Sequence, residues 1–280
     1  MVRRPATALA AAFACLGGLV VTGILTFGSG RARWLDGAAL QGFVGLDRPA
    51  TRGPAEVVAA LGDPLPYVLL GAALVALALA RGRPRIALAV PVVLAGSALT
   101  TQILKPLLAD PRVCDCLADT RVAAASWPSG HATAAMALAL CAVLVAPPRW
   151  RPTMAVFGAG VAVSVSYALL TLGWHYPSDV LGGYLVAAFW MAGAIAALRA
   201  AGERWPARSG REAAVRWGAA LAPAGIGALV PLVGLAAVAL ARPYGAVRIA
   251  AAHTAFVFVA AALAAAAAAT AGAFAAALRR

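Results

Sequence analysis

Long apolar runs separated by short polar segments form the dominant pattern of this chain. Such runs lie near residues 7–27, 65–80, 86–105, 130–147, 153–172, 178–198, 217–241 and 249–278. A helix needs about 20 apolar residues to cross the hydrocarbon core of a bilayer, and backbone groups in lipid must hydrogen-bond within the helix. The pattern therefore predicts an all-α, polytopic transmembrane bundle of about eight spans, with both chain ends on one side of the membrane.

The composition supports this prediction. Hydrophobic residues make up 63% of the 280 residues, charged residues only 12%, and the mean hydropathy is +0.86. A soluble domain is roughly half apolar and a quarter charged. These values exclude an ordinary soluble domain, a disordered chain and a small disulfide scaffold.

The net charge of +13 divides unequally between the two sides of the predicted bundle. The side of the chain ends carries 14 cationic and two acidic residues, whereas the opposite side carries nine cationic and eight acidic residues. Short loops rich in Lys and Arg stay in the cytoplasm. We therefore expect an integral cell-membrane protein with cytoplasmic termini and outward-facing segments at 28–64, 106–129, 173–177 and 242–248. The basic residues are spread over several short loops without base-stacking aromatics, which argues against a nucleic-acid partner.

The N-terminus and one pair of cysteines add two further expectations. Arg3 and Arg4 before the first apolar run resemble a signal sequence, but the run is long and more spans follow, so we expect a retained signal anchor. Cys114 and Cys116 lie in a predicted outward segment, where a strained disulfide and two free thiols are both compatible with the sequence.

Chemistry-bearing residues are rare in this chain and cluster at the predicted outer ends of three spans. Lys105, which is the only lysine, ends the third span, and Arg112 follows seven positions later. Ionisable residues at membrane depth are costly and usually functional. The alternative interpretation is a lysine that extends to the membrane interface, followed by an ordinary loop arginine.

The second cluster is Pro128-Ser129-Gly130-His131, at the start of the fourth span. Ser129 is well placed as a helix N-cap, and Gly130 allows a ligand to approach the backbone closely. Free N–H groups and the helix dipole form an anion site at such a start, with His131 in the first turn. The alternative is a capped helix start with an interfacial histidine.

The third cluster is His175-Tyr176-Pro177-Ser178-Asp179, at the start of the sixth span. The spacing allows Asp179 to accept a hydrogen bond from one ring nitrogen of His175. That contact fixes the tautomer and leaves the other nitrogen as a nucleophile or base. The alternative is a capping turn, since Pro177 suits the first helical turn and Asp179 is favourable near a helix N-terminus.

All three clusters fall on the same predicted membrane face. Together they supply two cations, backbone amides, a histidine oriented by a carboxylate, and a second histidine. Cations and amides hold a phosphoryl group, one histidine attacks it, and the other protonates the leaving oxygen. No acidic cluster resembles a magnesium site, so we expect neither a metal nor another cofactor.

These motifs resemble the type 2 phosphatidic acid phosphatase superfamily, the integral-membrane lipid phosphate phosphatases. That family carries KxxxxxxRP, then PSGH, then SRxxxxxHxxxD, within a six-helix core. Lys105 and Arg112 have the first spacing, with Val113 in place of the family's proline, and the second motif is present in full. His175 and Asp179 match the end of the third motif. The resemblance covers roughly residues 65–198.

The resemblance implies metal-independent hydrolysis of a lipid-linked phosphate or diphosphate at the outer leaflet, through a phosphohistidine. It makes His175 the nucleophile, Asp179 the group that orients it, and His131 the general acid. It assigns phosphate binding to Lys105, Arg112 and the backbone amides of Ser129 and Gly130. It also implies a membrane lipid as the substrate and residues 1–198 as a six-span core with its motifs within 105–179.

One departure from the family pattern bears on activity. The Ser-Arg pair of the third motif corresponds to Ala168-Leu169, and no Arg or Lys lies between Arg151 and Arg199. The lost charge-assisted contact to a phosphoryl group is worth several kcal/mol. Outward cations that are candidates to replace it are Arg121, which we favour because its loop joins two motifs, Arg242 and Arg248. The alternatives are a weak or inactive member that binds or transports a phosphorylated lipid, and a lipid phosphotransferase.

The C-terminal part exceeds what the resemblance requires. A basic cytoplasmic linker at 199–216 precedes a two-span extension at 217–280, rich in Ala and Gly. Such helices permit close packing, so this hairpin is expected either to flank the core or to mediate homodimerisation. We expect His253, near the outer end of the last span, to be an ordinary interfacial histidine rather than a catalytic one.

Overall fold

A computed structural model of the protein describes residues 5–111, 122–202 and 251–278. Over these ranges it contains helices and no strand, which confirms the all-α class. The helices are α1 (Pro5–Gly28), α2 (Gly30–Val44), α3 (Pro49–Ala59) with a 3-10 turn (Ala60–Gly62), α4 (Pro64–Ala80), α5 (Pro84–Leu107), α6 (Gly130–Val145), α7 (Arg151–Thr171), α8 (Pro177–Ala200) and α9 (Thr254–Ala277). Several predicted features lie outside the described residues: Arg3, Arg4, Arg112, Cys114, Cys116, Arg121, Arg242, Arg248, most of the linker 199–216 and the span at 217–241.

The predicted count of eight spans is not confirmed. Within the described ranges, five helices are long and apolar enough to cross a membrane, namely α1, α5, α7, α8 and α9. A sixth span results if α3 with its 3-10 turn is joined to α4 across a bend of 50°. α6 is apolar but has only 16 residues, and most of them are buried by other helices. These helices fit a multi-pass membrane protein.

The segment at 28–64, expected from the sequence as an outward connection, is mostly helical. Ser29 starts α2 by accepting a hydrogen bond from the Ala32 N–H at 3.3 Å, and Pro49 occupies the first turn of α3, where a missing N–H costs nothing. α2 packs against α7 and α9, and α3 packs against α7. The two helices therefore cover one end of the bundle.

The core of the bundle is centred on α6, which contacts α4, α5, α7, α8 and α9. Small residues bring these helices close together. A side chain at Gly158 would meet the Cβ of Ala139 at 2.7 Å, and one at Gly96 would meet the Trp190 ring at 2.5 Å. Because glycine leaves this space free, the helices approach closely, and the resulting dispersion contacts stabilise helix pairs in lipid, where the hydrophobic effect does not drive them together.

The helices alternate in direction and so define two ends of the bundle. At the first end, called here the site end, α1, α5 and α7 finish while α4, α6, α8 and α9 begin. At the opposite end, the fully buried guanidinium of Arg151 donates to the backbone oxygens of Ala146 and Leu278, and Arg199 donates to that of Ala277. Cations at helix C-termini are favourable, so these contacts hold α9 against the core.

Candidate active site

The start of α6 has the local structure that its sequence predicts. Ser129 is fully buried and caps the helix, since its side-chain oxygen accepts from the Ala132 N–H at 3.4 Å. The hydroxyl of Thr133 donates to the backbone oxygen of Ser129 at 2.7 Å, which secures the same turn. The amides of the first helical turn have no partner within a helix, so this start is an anion-binding element.

The start of α8 holds the predicted histidine–carboxylate pair. Nδ1 of His175 lies 3.2 Å from Oδ2 of Asp179, and the backbone N–H of Tyr176 donates to the same oxygen at 2.9 Å. Asp179 is fully buried and His175 is 7% exposed. A buried carboxylate held by two donors fixes the orientation of the ring, and Nε2 is the nitrogen that this pair leaves available.

A backbone contact joins the two helix starts. The N–H of Ser129 donates to the backbone oxygen of Asp179 at 2.9 Å. This N–H is therefore engaged in joining α6 to α8, and phosphate binding by the Ser129 amide stays a prediction. The donors left to an anion at this start are the amides of Gly130 and His131.

Two glycines of α8 make this approach sterically possible. A Cβ at Gly183 would lie 2.8 Å from the backbone oxygen of Ser129 and 2.8 Å from Oγ1 of Thr133. A Cβ at Gly182 would lie 2.9 Å from Nε1 of Trp127. Carbon atoms do not tolerate contacts this short, so glycine is required for α8 to support the start of α6 at this distance.

Lys105 lies next to both helix starts. Its Nζ is 3.7 Å from the position that a Cβ on Gly130 would occupy. Lys105 thus lies beside the start of α6, which the Ser129–Asp179 backbone hydrogen bond joins to the start of α8. The partner cation Arg112 and the replacement candidate Arg121 lie outside the described residues, so their positions stay predictions.

Leu169 is fully buried in the apolar core. Its backbone oxygen accepts from the Trp174 N–H at 3.0 Å, in the turn that leads from α7 to His175. An arginine at this position would place a charge among apolar side chains, which is costly without a partner. The packing around residue 169 is therefore built for a hydrocarbon side chain.

Two carboxylates near the site were not anticipated from the sequence. Oδ1 of Asp63, the residue between the 3-10 turn and α4, lies 3.0 Å from Nε2 of His131. Asp36 of α2 accepts from both the backbone N–H and the hydroxyl of Ser178, in the first turn of α8. Both contacts join segments that are far apart in the sequence, so no local motif predicts them. The only signal in the sequence was the presence of these two acidic residues in a chain that has few of them.

The site end thus gathers two imidazoles, each with a carboxylate partner, the capped start of α6 and one ammonium group. Within the described ranges, no three His, Cys, Asp or Glu residues lie close enough to hold a metal ion. His253 stands at the N-cap of α9, outside this group. The arrangement suits an anion that is attacked by one imidazole while the other supplies a proton to the departing group.

Comparison with known proteins matches part of the chain to one protein family. Residues 86–203 match the family model described as the PAP2 superfamily. The matched segment runs from the first turn of α5 to the end of α8 and includes Lys105, Ser129, His131, His175 and Asp179. No curated protein and no solved structure matches the chain.

Proposed function

We propose that the protein hydrolyses a lipid-linked phosphate or diphosphate, because residues 86–203 match the model of the PAP2 superfamily, whose members are generally phosphatases of phosphate esters. The observation that carries this proposal is the buried His175–Asp179 pair, held against the capped start of α6 by a backbone hydrogen bond. A histidine nucleophile and an anion-binding helix start together support phosphoryl transfer through a covalent intermediate.

Substrate binding uses the positive groups of the site. The phosphoryl oxygens lie against the amides of Gly130 and His131, and the ammonium of Lys105 neutralises part of their charge. Arg112 adds a second cation if the family motif holds in space. In the proposed complex the phosphorus atom lies within reach of Nε2 of His175.

The reaction proceeds in two balanced steps. Nε2 of His175 attacks phosphorus, the bond to the leaving oxygen breaks, and that oxygen keeps the electron pair and takes a proton from His131. Water then attacks the phosphohistidine, gives a proton to His131, and the P–N electron pair returns to Nε2. Asp179 orients the ring throughout and compensates the positive charge that develops on it.

The location of the site suits a lipid substrate. The site end lies where apolar helices finish, so a head group in water and a tail in lipid reach it together. The distribution of Lys and Arg in the sequence favours an outward-facing site and cytoplasmic termini. Polyprenyl phosphates and diphosphates, phosphatidic acid and phosphatidylglycerophosphate all satisfy these requirements.

The test is phosphate release by the purified protein from a panel of these lipids. The His175→Ala variant should lose at least about 1,000-fold in turnover, because removal of a covalent nucleophile leaves only binding and electrostatic effects. His253→Ala, a histidine substitution outside the site, is the matched control and should retain wild-type activity. Undiminished turnover by purified His175→Ala would refute the mechanism.

A second candidate function is binding or transport of a phosphorylated lipid without turnover. The buried Leu169 favours it, since the family's third cation is missing from its usual position. Saturable binding of lipid phosphate by a wild type that releases no phosphate would support this alternative. Phosphotransfer to an alcohol would instead appear as a new phosphate ester in place of inorganic phosphate.

A further inference from the structure

His131 has a carboxylate partner that lies outside the three motifs and outside the family match. Oδ1 of Asp63 is 3.0 Å from Nε2 of the imidazole, although the two residues are 68 positions apart. Asp63 is in extended conformation at the N-cap of α4, and its side chain makes no cap hydrogen bond to that helix. The carboxylate therefore binds the imidazole of His131 and does not cap α4.

The packing around the imidazole of His131 supports its contact with Asp63. A Cβ at Gly62 would lie 2.8 Å from both Cβ and Cδ2 of His131, so the 3-10 turn reaches the histidine only because residue 62 is glycine. The Trp174 ring lies on another side, with its centroid 6.3 Å from that of the imidazole. The imidazole is thus confined between the segment before α4 and the segment before α8.

The two histidines use opposite ring nitrogens toward their carboxylates. His175 bonds Asp179 through Nδ1 and presents Nε2, whereas His131 bonds Asp63 through Nε2 and leaves Nδ1. A carboxylate acceptor fixes which nitrogen carries the shared proton and how the ring is turned. The pairing therefore assigns the acid function of His131 to a particular atom, Nδ1.

We propose that Asp63 is the positioning residue of the general acid: it holds the Nε2–H of His131 so that Nδ1 faces the leaving oxygen. This inference rests on the proposed phosphatase function. When the bond between phosphorus and the leaving oxygen breaks, that oxygen keeps the electron pair and receives the Nδ1 proton. When water attacks the phosphohistidine, Nδ1 takes a proton from it, and Nε2–H stays on Asp63 in both steps.

The effect expected of Asp63 is smaller than that of Asp179. The Asp63 side chain is 51% exposed and the His131 side chain 29%, so water competes for the contact, whereas Asp179 is fully buried. A general acid contributes about 10²–10⁴-fold to rate. Losing only its orientation should lower kcat/KM, which reports the steps up to release of the leaving group, by about 10- to 100-fold, and only where the leaving group needs a proton.

The experiment compares two phosphate esters that differ in this need. A short-chain phosphatidic acid has an alkoxide leaving group that must be protonated, whereas p-nitrophenyl phosphate releases a stable phenolate. Asp63→Ala should lower kcat/KM for the first about 10- to 100-fold and for the second less than about threefold. Hydrolysis of the phosphohistidine is common to both substrates and does not enter kcat/KM. Asp63→Asn, which preserves the shape of the side chain and an acceptor oxygen, should give a smaller loss with the same selectivity.

Two controls separate positioning from general damage. Glu56→Ala removes another exposed carboxylate of the segment before α4, one that pairs with Arg52, and should leave both substrates unaffected. In a His131→Ala background, Asp63→Ala should cause no further change in the ratio of the two rates, because coupled residues are non-additive.

The outcomes are distinguishable. An equal loss of kcat/KM on both substrates means that Asp63 is only structural, and a higher kcat/KM on either means that it obstructs the site, so each of these overturns the inference while leaving the phosphatase intact. A wild type inactive on both substrates contradicts the proposed function itself. Selective loss on the alkyl ester, absent from the His131→Ala background, supports the positioning role.

Discussion

A single methyl group at Gly183 should separate the two helix starts that form the site. In Gly183→Ala the new Cβ would lie 2.8 Å from the Ser129 backbone oxygen, 2.8 Å from Oγ1 of Thr133 and 3.0 Å from the Thr133 nitrogen. Two of these three atoms belong to the backbone of the α6 start, so no rotation of a side chain relieves the overlap. α6 and α8 must move apart at this point.

The size of the movement follows from the distances. Ordinary van der Waals contacts of a Cβ begin near 3.4 Å, so relief of a 2.8 Å contact requires a shift of roughly 0.6 Å. Overpacking of this kind costs about 1–3 kcal/mol of stability. The same shift lengthens the 2.9 Å bond between the Ser129 N–H and the Asp179 oxygen and moves His175 relative to the anion site. Because a 1 Å misplacement costs about 100-fold, we expect roughly a tenfold loss of turnover.

The assay measures thermal unfolding in detergent and phosphate release for matched variants of α8. Gly193 lies on the same helix, and a Cβ there would meet nothing within 4 Å. Gly193→Ala should therefore be neutral or stabilise by up to about 1 kcal/mol through helix propensity. If Gly183→Ala behaves like Gly193→Ala in both measurements, the close approach of α6 and α8 does not hold the site.

Two other substitutions test the surroundings of the site. Asp36→Ala removes the acceptor of two hydrogen bonds from Ser178 and should lower the unfolding free energy by about 1–2 kcal/mol, with turnover reduced by displacement of the α8 start. An unchanged unfolding midpoint would show that this contact does not brace α8. Leu169→Arg restores the family residue but buries an unpaired charge, so we expect several kcal/mol of destabilisation and no gain in phosphate release. A stable variant with higher turnover would mean that the segment around residue 169 opens to the phosphate.

The membrane class and the local parts of the site were predictable from the sequence. Apolar runs of span length decide between membrane and solvent without reference to other segments. The Ser129 cap and the His175–Asp179 pair each join residues at most four positions apart, so helical geometry determines them once a helix starts there. The sequence alone also revealed the substitution at Leu169, because motif spacing does not depend on packing.

Contacts between distant segments were decided only by the tertiary structure. The Asp63–His131 pair spans 68 positions and the Asp36–Ser178 contact spans 142, and nothing in a one-dimensional pattern selects these partners. The structure also showed that the Ser129 N–H donates to the backbone oxygen of Asp179, and that a side chain at Gly183 would overlap the start of α6. These contacts depend on the distances between packed helices, and those distances are determined by the shapes of many side chains at once. The motif residues, in contrast, can be identified from short stretches of sequence alone.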